Sequence, residues 1–318
     1  KSILESASNV AKETSVVVKS VEFTLFETEY AGHGDEFVNT IFDFYKDNCV
    51  GNSENKILII TAGGDGTSHE VQSALIKLIN ESEENKKNIT KDFCVFRLPF
   101  GTGNDGSDGR NLEESLLRLN FPAHIELQKA VKVSCQGKNS KKDSWFAFNI
   151  ASIGIDAFIT HMTNKMKSKL PGDFYKLWVD LACVFYTWFY KKVPAFIELF
   201  KENNSIATYD NKIEFALLGS SGHRTYGSNH LILPTDENCC ITESVSLIKK
   251  LIIKHHFNDG THYGKPYSVF YDADKIKIAY DEKILLQLDG ESHLLTKDSF
   301  PIVMELTEPL IPVIVLDD

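Results

Sequence analysis

Three features of this sequence predict an α/β fold in two parts, an N-terminal α/β domain and a β-rich second domain. A strand, a glycine turn and a helix follow one another directly over residues 57–78. A second strand, residues 93–98, ends in another glycine-rich turn. Beyond Phe121, helical spacing gives way to β-branched and aromatic runs separated by turn residues, the texture of antiparallel sheet. The expected division is 1–124 and 125–318, with the C-terminal end able to return to the first domain.

In chain order, Ile3, Leu4, Ala7, Val10 and Ala11 share one side of a helix predicted over residues 1–19, and Val21, Phe23 and Leu25 alternate as in a strand. Phe37, Val38, Ile41, Phe42 and Tyr45 resume helical spacing. The unbroken apolar run from Ile57 to Ile60 suits a parallel strand buried on both faces. Its helix is expected to begin at Thr67, because Thr67 and Glu70 have capping-box spacing and Val71, Leu75, Leu78 and Ile79 fall on one face. Residues 81–91 are polar and read as a solvated connection. Strands alternating with helices imply right-handed crossovers and a parallel sheet. In the second domain, strands are predicted over 129–135, 145–150, 213–218, 245–253, 275–280, 284–288 and 302–306. One helix, over residues 174–190, places Leu177, Leu181, Val184, Phe185 and Trp188 on an apolar face that reads as core.

With 318 residues, 42% hydrophobic and 25% charged, the chain has an ordinary globular composition and room for two cores. A formal charge of -10 argues against a nucleic-acid partner and removes any overall attraction to anionic lipid. Clusters such as Lys165, Lys167 and Lys169, or Lys191 and Lys192, read as solvated faces. The six cysteines show neither zinc-ligand nor disulfide-framework spacing, so a reducing, intracellular location is the simplest inference. The most apolar segment, 181–190, falls well short of the roughly 20 residues of a membrane-spanning helix.

Gly63, Gly64 and Gly66 stand where a strand gives way to a helix N-terminus. Glycines there admit a ligand close to the main chain, and the N–H groups and helix dipole favour an anion, phosphate best of all. Gly101, Thr102, Gly103 and Asn104 form a second such turn, and ligands of open α/β sheets sit beyond the carboxyl ends of the strands. Gly101, Gly103 and Gly106 also satisfy the dinucleotide fingerprint, with Glu126 spaced as a ribose ligand. Pro99 before the first glycine and the delay over residues 107–111 count against a nicotinamide- or flavin-linked enzyme. Walker-type and calcium-loop signatures are not met. Leu288-Asp289-Gly290-Glu291 reads alone as a hairpin turn, and beside the two loops as a carboxylate pair able to face a phosphate.

Taken together, these motifs resemble the soluble diacylglycerol kinase catalytic-domain family, which includes diacylglycerol, sphingosine and ceramide kinases. Gly63-Gly64-Asp65-Gly66-Thr67 with Glu70-Val71 is similar to its first phosphate loop, Pro99 through Asp105 to its second, and Asp289-Gly290-Glu291 to its carboxylate motif. Phe148-Asn149-Ile150-Ala151-Ser152-Ile153-Gly154-Ile155-Asp156-Ala157 resembles the opening of its second domain. The first motif alone is shared with NAD kinases and phosphofructokinases; the ordered set of four is far more specific. The family's Asn-Pro-x-x-Gly strand is not found ahead of the first loop. Where bacterial members carry Asp-Gly-x-x-Asp linked to a structural magnesium, this chain has Asp236-Glu237-Asn238-Cys239-Cys240.

The resemblance implies a nucleotide-binding α/β domain of NAD-kinase/diacylglycerol-kinase type, a β-rich substrate domain and an active cleft between them. ATP would be held by Gly63, Gly64, Asp65, Gly66, Thr67 and Glu70 and by Gly101, Thr102, Gly103 and Asn104, with Mg²⁺ at Asp65 and Glu291. Asp65 would organise metal and phosphates, and Asp289 would act as base with Glu291 supporting the metal, or the two would exchange roles. The acceptor would be the hydroxyl of a diacylglycerol or sphingoid-type membrane lipid. A cytoplasmic protein would reach it by transient contact with the membrane surface, through apolar groups such as Trp178 and Trp188. The resemblance also admits a homodimer. Two rival readings share the first loop: an NAD-kinase-like enzyme and a catalytically silent nucleotide-binding regulator.

Overall fold

The computed structural model describes residues 23–51, 56–101, 106, 108, 111–118, 123–137, 144–167, 186–226 and 230–316. Two compact units divide the chain. The first comprises Lys1–Gly101, Ser107–Leu127 and Ile311–Asp318; the second comprises Thr102–Gly106 and Gln128–Leu310.

Among the described residues, the first unit is built on four strands in the order Ile57–Gly63, Phe93–Pro99, Ile311–Leu316, Ala123–Gln128. Ile57–Gly63 runs parallel to Phe93–Pro99 in register Ile57 with Phe93, and the last strand of the chain runs parallel on the other side, Val313 opposite Val95. Phe93–Pro99 is therefore an inner strand, and its residues are buried as far as Leu98. Among the described residues the Ile57–Gly63 strand has a partner on one side only, and Leu58 is exposed, so the burial on both faces expected from its apolar run is not complete. Helix His33–Asn48 buries Val38, Phe42 and Tyr45, the face its spacing predicts. Tyr45 donates a 2.6 Å hydrogen bond to Asp92, which also holds Lys56 at 2.7 Å.

Two expectations for this unit are corrected. Phe23 and Leu25 are exposed in a segment without strand pairing, so their alternation does not mark a sheet face. The stretch read as a solvated connection contains helix Glu83–Asp92. Ser82 caps it by accepting from the Asn85 N–H at 3.1 Å, two glutamates sit in its first turn, and the single apolar anchor Ile89 is fully buried. The helix predicted over residues 1–19 lies outside the described residues.

The second unit is β-rich. Its central strand, Asn204–Gly219, is shared: its first part pairs antiparallel with Pro194–Lys201, and its last part lies between Ile150–Gly154 and Cys239–Glu243. From Pro194–Lys201 the sheet continues through Lys275–Ala279, Ile302–Leu306, Val131–Cys135 and Ser144–Ala147; from Ile150–Gly154 it continues to Ile284–Leu288 and Glu291–Leu295. Both wings send one face into the same core, with Val131, Val133, Ile197, Leu199, Ile276 and Ile278 from one and Ile153, Leu286 and Leu288 from the other. Alternation is what permits this, as in Lys275-Ile276-Lys277-Ile278, where only the isoleucines are fully buried. Gly154 has φ +121, and a Cβ there would meet the Glu214 carbonyl at 2.2 Å, so the crossing of these strands requires glycine.

Residues 245–253, expected as a strand, belong mostly to helix Leu247–Asn258, which Ser246 caps by accepting from the Lys249 N–H at 3.4 Å. Of the helix predicted over 174–190, the described part is Tyr186–Phe189. Trp188, assigned to core by its spacing, is 80% exposed. No helix among the described residues is long and apolar enough to cross a membrane.

Candidate functional site

In the first unit, the carboxyl end of Ile57–Gly63 passes directly into helix Asp65–Glu81, with Gly64 as its extended N-cap residue. The helix begins two residues before Thr67, and no capping box forms. Thr67 instead packs against the turn: a Cβ on Gly63 would lie 2.6 Å from the Thr67 hydroxyl oxygen. The Thr67 and Ser68 N–H groups both bond the Gly64 carbonyl, at 3.1 and 3.3 Å. Asp65 occupies the first helical position, where a negative charge suits the dipole.

Glu70 faces elsewhere. Its carboxylate accepts from the Gly32 N–H at 2.8 Å and the Gly34 N–H at 3.3 Å, capping helix His33–Asn48 from a neighbouring helix. Among the residues expected to hold nucleotide, Glu70 is thus engaged in joining two helices.

The second glycine turn meets the first. The Phe100 N–H bonds the Gly63 carbonyl at 3.2 Å, and a Cβ on Gly64 would come within 3.3 Å of the Gly101 Cα. A side chain at Gly64 would therefore press on the Gly101 backbone. Thr102, Gly103 and Asn104 lie outside the described residues. Behind this turn is a pair that motif reasoning missed. Arg97, an inner-strand residue 5% exposed, gives Asp108 hydrogen bonds from its backbone N–H at 2.6 Å and from its guanidinium at 2.6 and 3.2 Å; the Asp108 N–H returns one to the Arg97 carbonyl at 3.0 Å. This buried, charge-assisted clamp closes the chain from Leu98 to Asp108 on itself. Its sequence signal is a lone charge inside an apolar strand.

In the second unit, Asp289 and Gly290 have φ of +49 and +95, and Leu288 pairs with Glu291, a two-residue hairpin of the kind Asp-Gly favours. The Asp289 carboxylate accepts backbone N–H bonds from Asn149 at 3.0 Å, Ile150 at 2.9 Å and also Phe148. Asp289 is thereby fixed to the segment that opens the second unit's resemblance to the family. Glu291, two residues on, is exposed. The turn between them is held by helix Ile155–Lys167, whose Asn164 donates to the Gly290 carbonyl at 2.8 Å and whose His161 Nδ1 lies 3.0 Å from the Ser292 hydroxyl. Asn164 and His161 carried no signal in the sequence, since helical spacing does not tell which turn a side chain meets.

The described parts of the motifs thus fall into two spatial pairs: Gly63–Thr67 with Phe100 and Gly101 in one unit, and the 148–157 segment with the Asp-Gly-Glu turn in the other. The class this defines is an α/β protein with two glycine turns at neighbouring strand ends, joined to a β-rich unit that carries an Asp-Gly-Glu turn. Comparison makes it more specific. Residues 4–142 match the family model for the diacylglycerol kinase catalytic domain. A solved structure described as "a putative diacylglycerol kinase from Bacillus anthracis str. Sterne" is 17% identical with a TM-score of 0.58, the similarity covering 91% of this chain and 84% of that one. Another, described as a diacylglycerol kinase of the same organism, is 15% identical with a TM-score of 0.54, covering 92% of this chain and 84% of that one. At these identities the likeness is one of fold, and it extends over both units. The resemblance to the soluble diacylglycerol kinase catalytic-domain family is borne out by the match over residues 4–142, and the solved structures share the fold.

Proposed function

We propose that the protein is an ATP-dependent lipid kinase that transfers the γ-phosphate of ATP to the hydroxyl of a diacylglycerol or sphingoid-type lipid. The observation that carries this reading is the packing of the two glycine turns, Gly64 against Gly101, beside a helix N-terminus. A strand end, two backbones without side chains and the first turn of a helix make a cradle suited to phosphate oxygens. Phosphoryl transfer asks mainly for positioning and charge neutralisation, and such a cradle supplies both.

Among the described residues, no group of three or more His, Cys, Asp or Glu side chains gathers to hold a metal ion. Asp65, at the first turn of the helix, would hold a Mg²⁺ ion that would offset the charge of the nucleotide phosphates. The two carboxylates of the Asp-Gly-Glu turn take different parts. With three N–H groups on its oxygens, Asp289 is suited to fixing the turn rather than to receiving a proton. Glu291 is exposed on the strand that follows, and we assign it the general base that takes the lipid hydroxyl's proton as that oxygen attacks phosphorus. This moves the base from Asp289, where it was first expected, to Glu291, and leaves Asp289 a structural part.

An acceptor panel tests the reading. Labelled phosphate from ATP should enter the organic phase with micelles of a hydroxyl-bearing lipid, whereas label entering soluble NAD would favour the dinucleotide kinase and retire the lipid assignment.

A further inference from the structure

One cavity of the second unit belongs to neither motif pair. It has a volume of about 320 Å³, and its wall includes Lys192, Lys250, Ser244, Trp188 and Leu247. That volume lies at the lower end of the range of small-ligand sites, about 300–1,000 Å³. The two lysines are mostly buried, with side chains 12% and 15% exposed, and both ammonium groups form ion pairs with the buried Glu214, Lys250 at 2.8 Å. Glu214 also accepts from the Val245 N–H at 3.0 Å and the Ser244 hydroxyl at 3.2 Å. Two cations sharing one carboxylate leave a positive charge in excess, and no carboxylate is among the described residues lining the cavity. Burial, reinforced by Lys250 and opposed by Glu214, lowers Lys192 to about 8.

The surroundings are apolar and open to solvent. Trp188 and Leu247 line the cavity and are 80% and 43% exposed, and Phe189, Ile248 and Ile252 beside them in sequence are 58%, 73% and 63% exposed. Exposed apolar side chains in such number mark a contact surface rather than incidental exposure. Buried cations ringed by a tryptophan and aliphatic groups match an amphiphile with an anionic head. The formal charge of -10 makes general attraction to an anionic bilayer weak, so recognition has to be local.

We propose that this cavity receives the anionic headgroup of a membrane phospholipid while Trp188, Leu247 and Ile248 enter the acyl boundary, docking the second unit on anionic bilayers. Occupancy of this site requires no phosphoryl transfer.

Sedimentation of the full chain with vesicles, without ATP, tests this. Phosphatidylcholine vesicles are compared with vesicles also containing phosphatidylserine. Lys250→Gln should lower partition onto the anionic vesicles about fivefold, the effect of one basic residue near a charged surface, and leave binding to neutral vesicles unchanged. Lys250→Arg should retain anionic binding, and Trp188→Ala should weaken binding to both vesicle types. Equal partition of wild type and Lys250→Gln onto anionic vesicles would overturn the proposal; should Lys250→Gln fail to fold, unchanged binding by Trp188→Ala would do the same. Millimolar inorganic phosphate should not displace the protein, and displacement by it would assign the cavity to soluble anions instead. Because no nucleotide is present, the outcome is independent of the kinase reading.

Discussion

Two carboxylates separated by one glycine illustrate how little residue type says about role. Asp289 spends its lone pairs on three backbone N–H groups, whereas Glu291 is exposed on the following strand. Glu291→Gln should therefore lower turnover by about 10²- to 10⁴-fold with an unchanged unfolding midpoint. Asp289→Ala should destabilise the fold by about 2 kcal/mol or more, because buried donors lose a charged acceptor. Steady-state kinetics beside urea unfolding separates the two, and a stable but inactive Asp289→Ala would return the base to Asp289. A third carboxylate, Asp156, is buried, and burial raises it to about 6 from its ordinary 3.8, against the Ser152 hydroxyl, which favours the charged form. Below pH 3.8 both folded and unfolded chains carry this proton. Between 3.8 and about 6 the unfolded chain has released it while the folded chain retains it, so this group costs stability as pH rises. Asp156→Asn should therefore stabilise the protein more at pH 7 than at pH 4, by on the order of 2–3 kcal/mol. Unfolding curves at the two pH values check this, and an equal effect at both would refute the burial argument.

At the scale of elements, legibility followed local chemistry. The strand, glycine turn and helix at Ile57–Glu81 and the Asp-Gly hairpin were readable because their conformations are set by the residues themselves: glycine at close approach, positive φ at Asp289 and Gly290. Helix Leu247–Asn258 was misread because β-branched Val245, Ile248, Ile252 and Ile253 outweighed the Ser246 cap in a reading of composition. Helix Glu83–Asp92 was missed because one buried isoleucine is too little for periodicity to register. Glu70 had capping-box spacing, yet its partners are 36 and 38 residues away, a relation no local window contains. The Arg97–Asp108 clamp is of the same kind and leads to a prediction for the second glycine turn. Arg97→Met should cost about 3–5 kcal/mol by leaving a buried aspartate unpaired, and Arg97→Met/Asp108→Leu should recover most of that. Urea denaturation of the single and double variants measures it, and additive losses would show that the pair does not act as a unit.

For the molecule as a whole, the sequence admits a return of the C-terminal end to the first domain but does not tell which strand it joins. Ile311–Leu316, the last described strand, pairs with Phe93–Pro99 inside the first unit's sheet, about 250 residues after the start of Ile57–Gly63. Its apolar run Ile311 to Val313 is buried, but burial alone does not tell which sheet a strand joins. Removing residues 311–318 should take an inner strand from the first unit and abolish its ATP binding, while the second unit's core, made wholly of residues 131–304, still unfolds cooperatively. Calorimetry with ATP titration would check this, and unimpaired ATP binding would show that the strand is dispensable. The central claim concerns the chemistry that the two motif pairs perform. Its most direct test is transfer of label from γ-labelled ATP into lipid, with wild type, Asp65→Ala and Glu291→Gln assayed in parallel on the same mixed micelles. The account predicts labelled lipid with wild type and a loss of at least about 10²-fold with each variant. Transfer undiminished in both variants, or none from a wild-type protein that binds both ATP and the micelles, would contradict it.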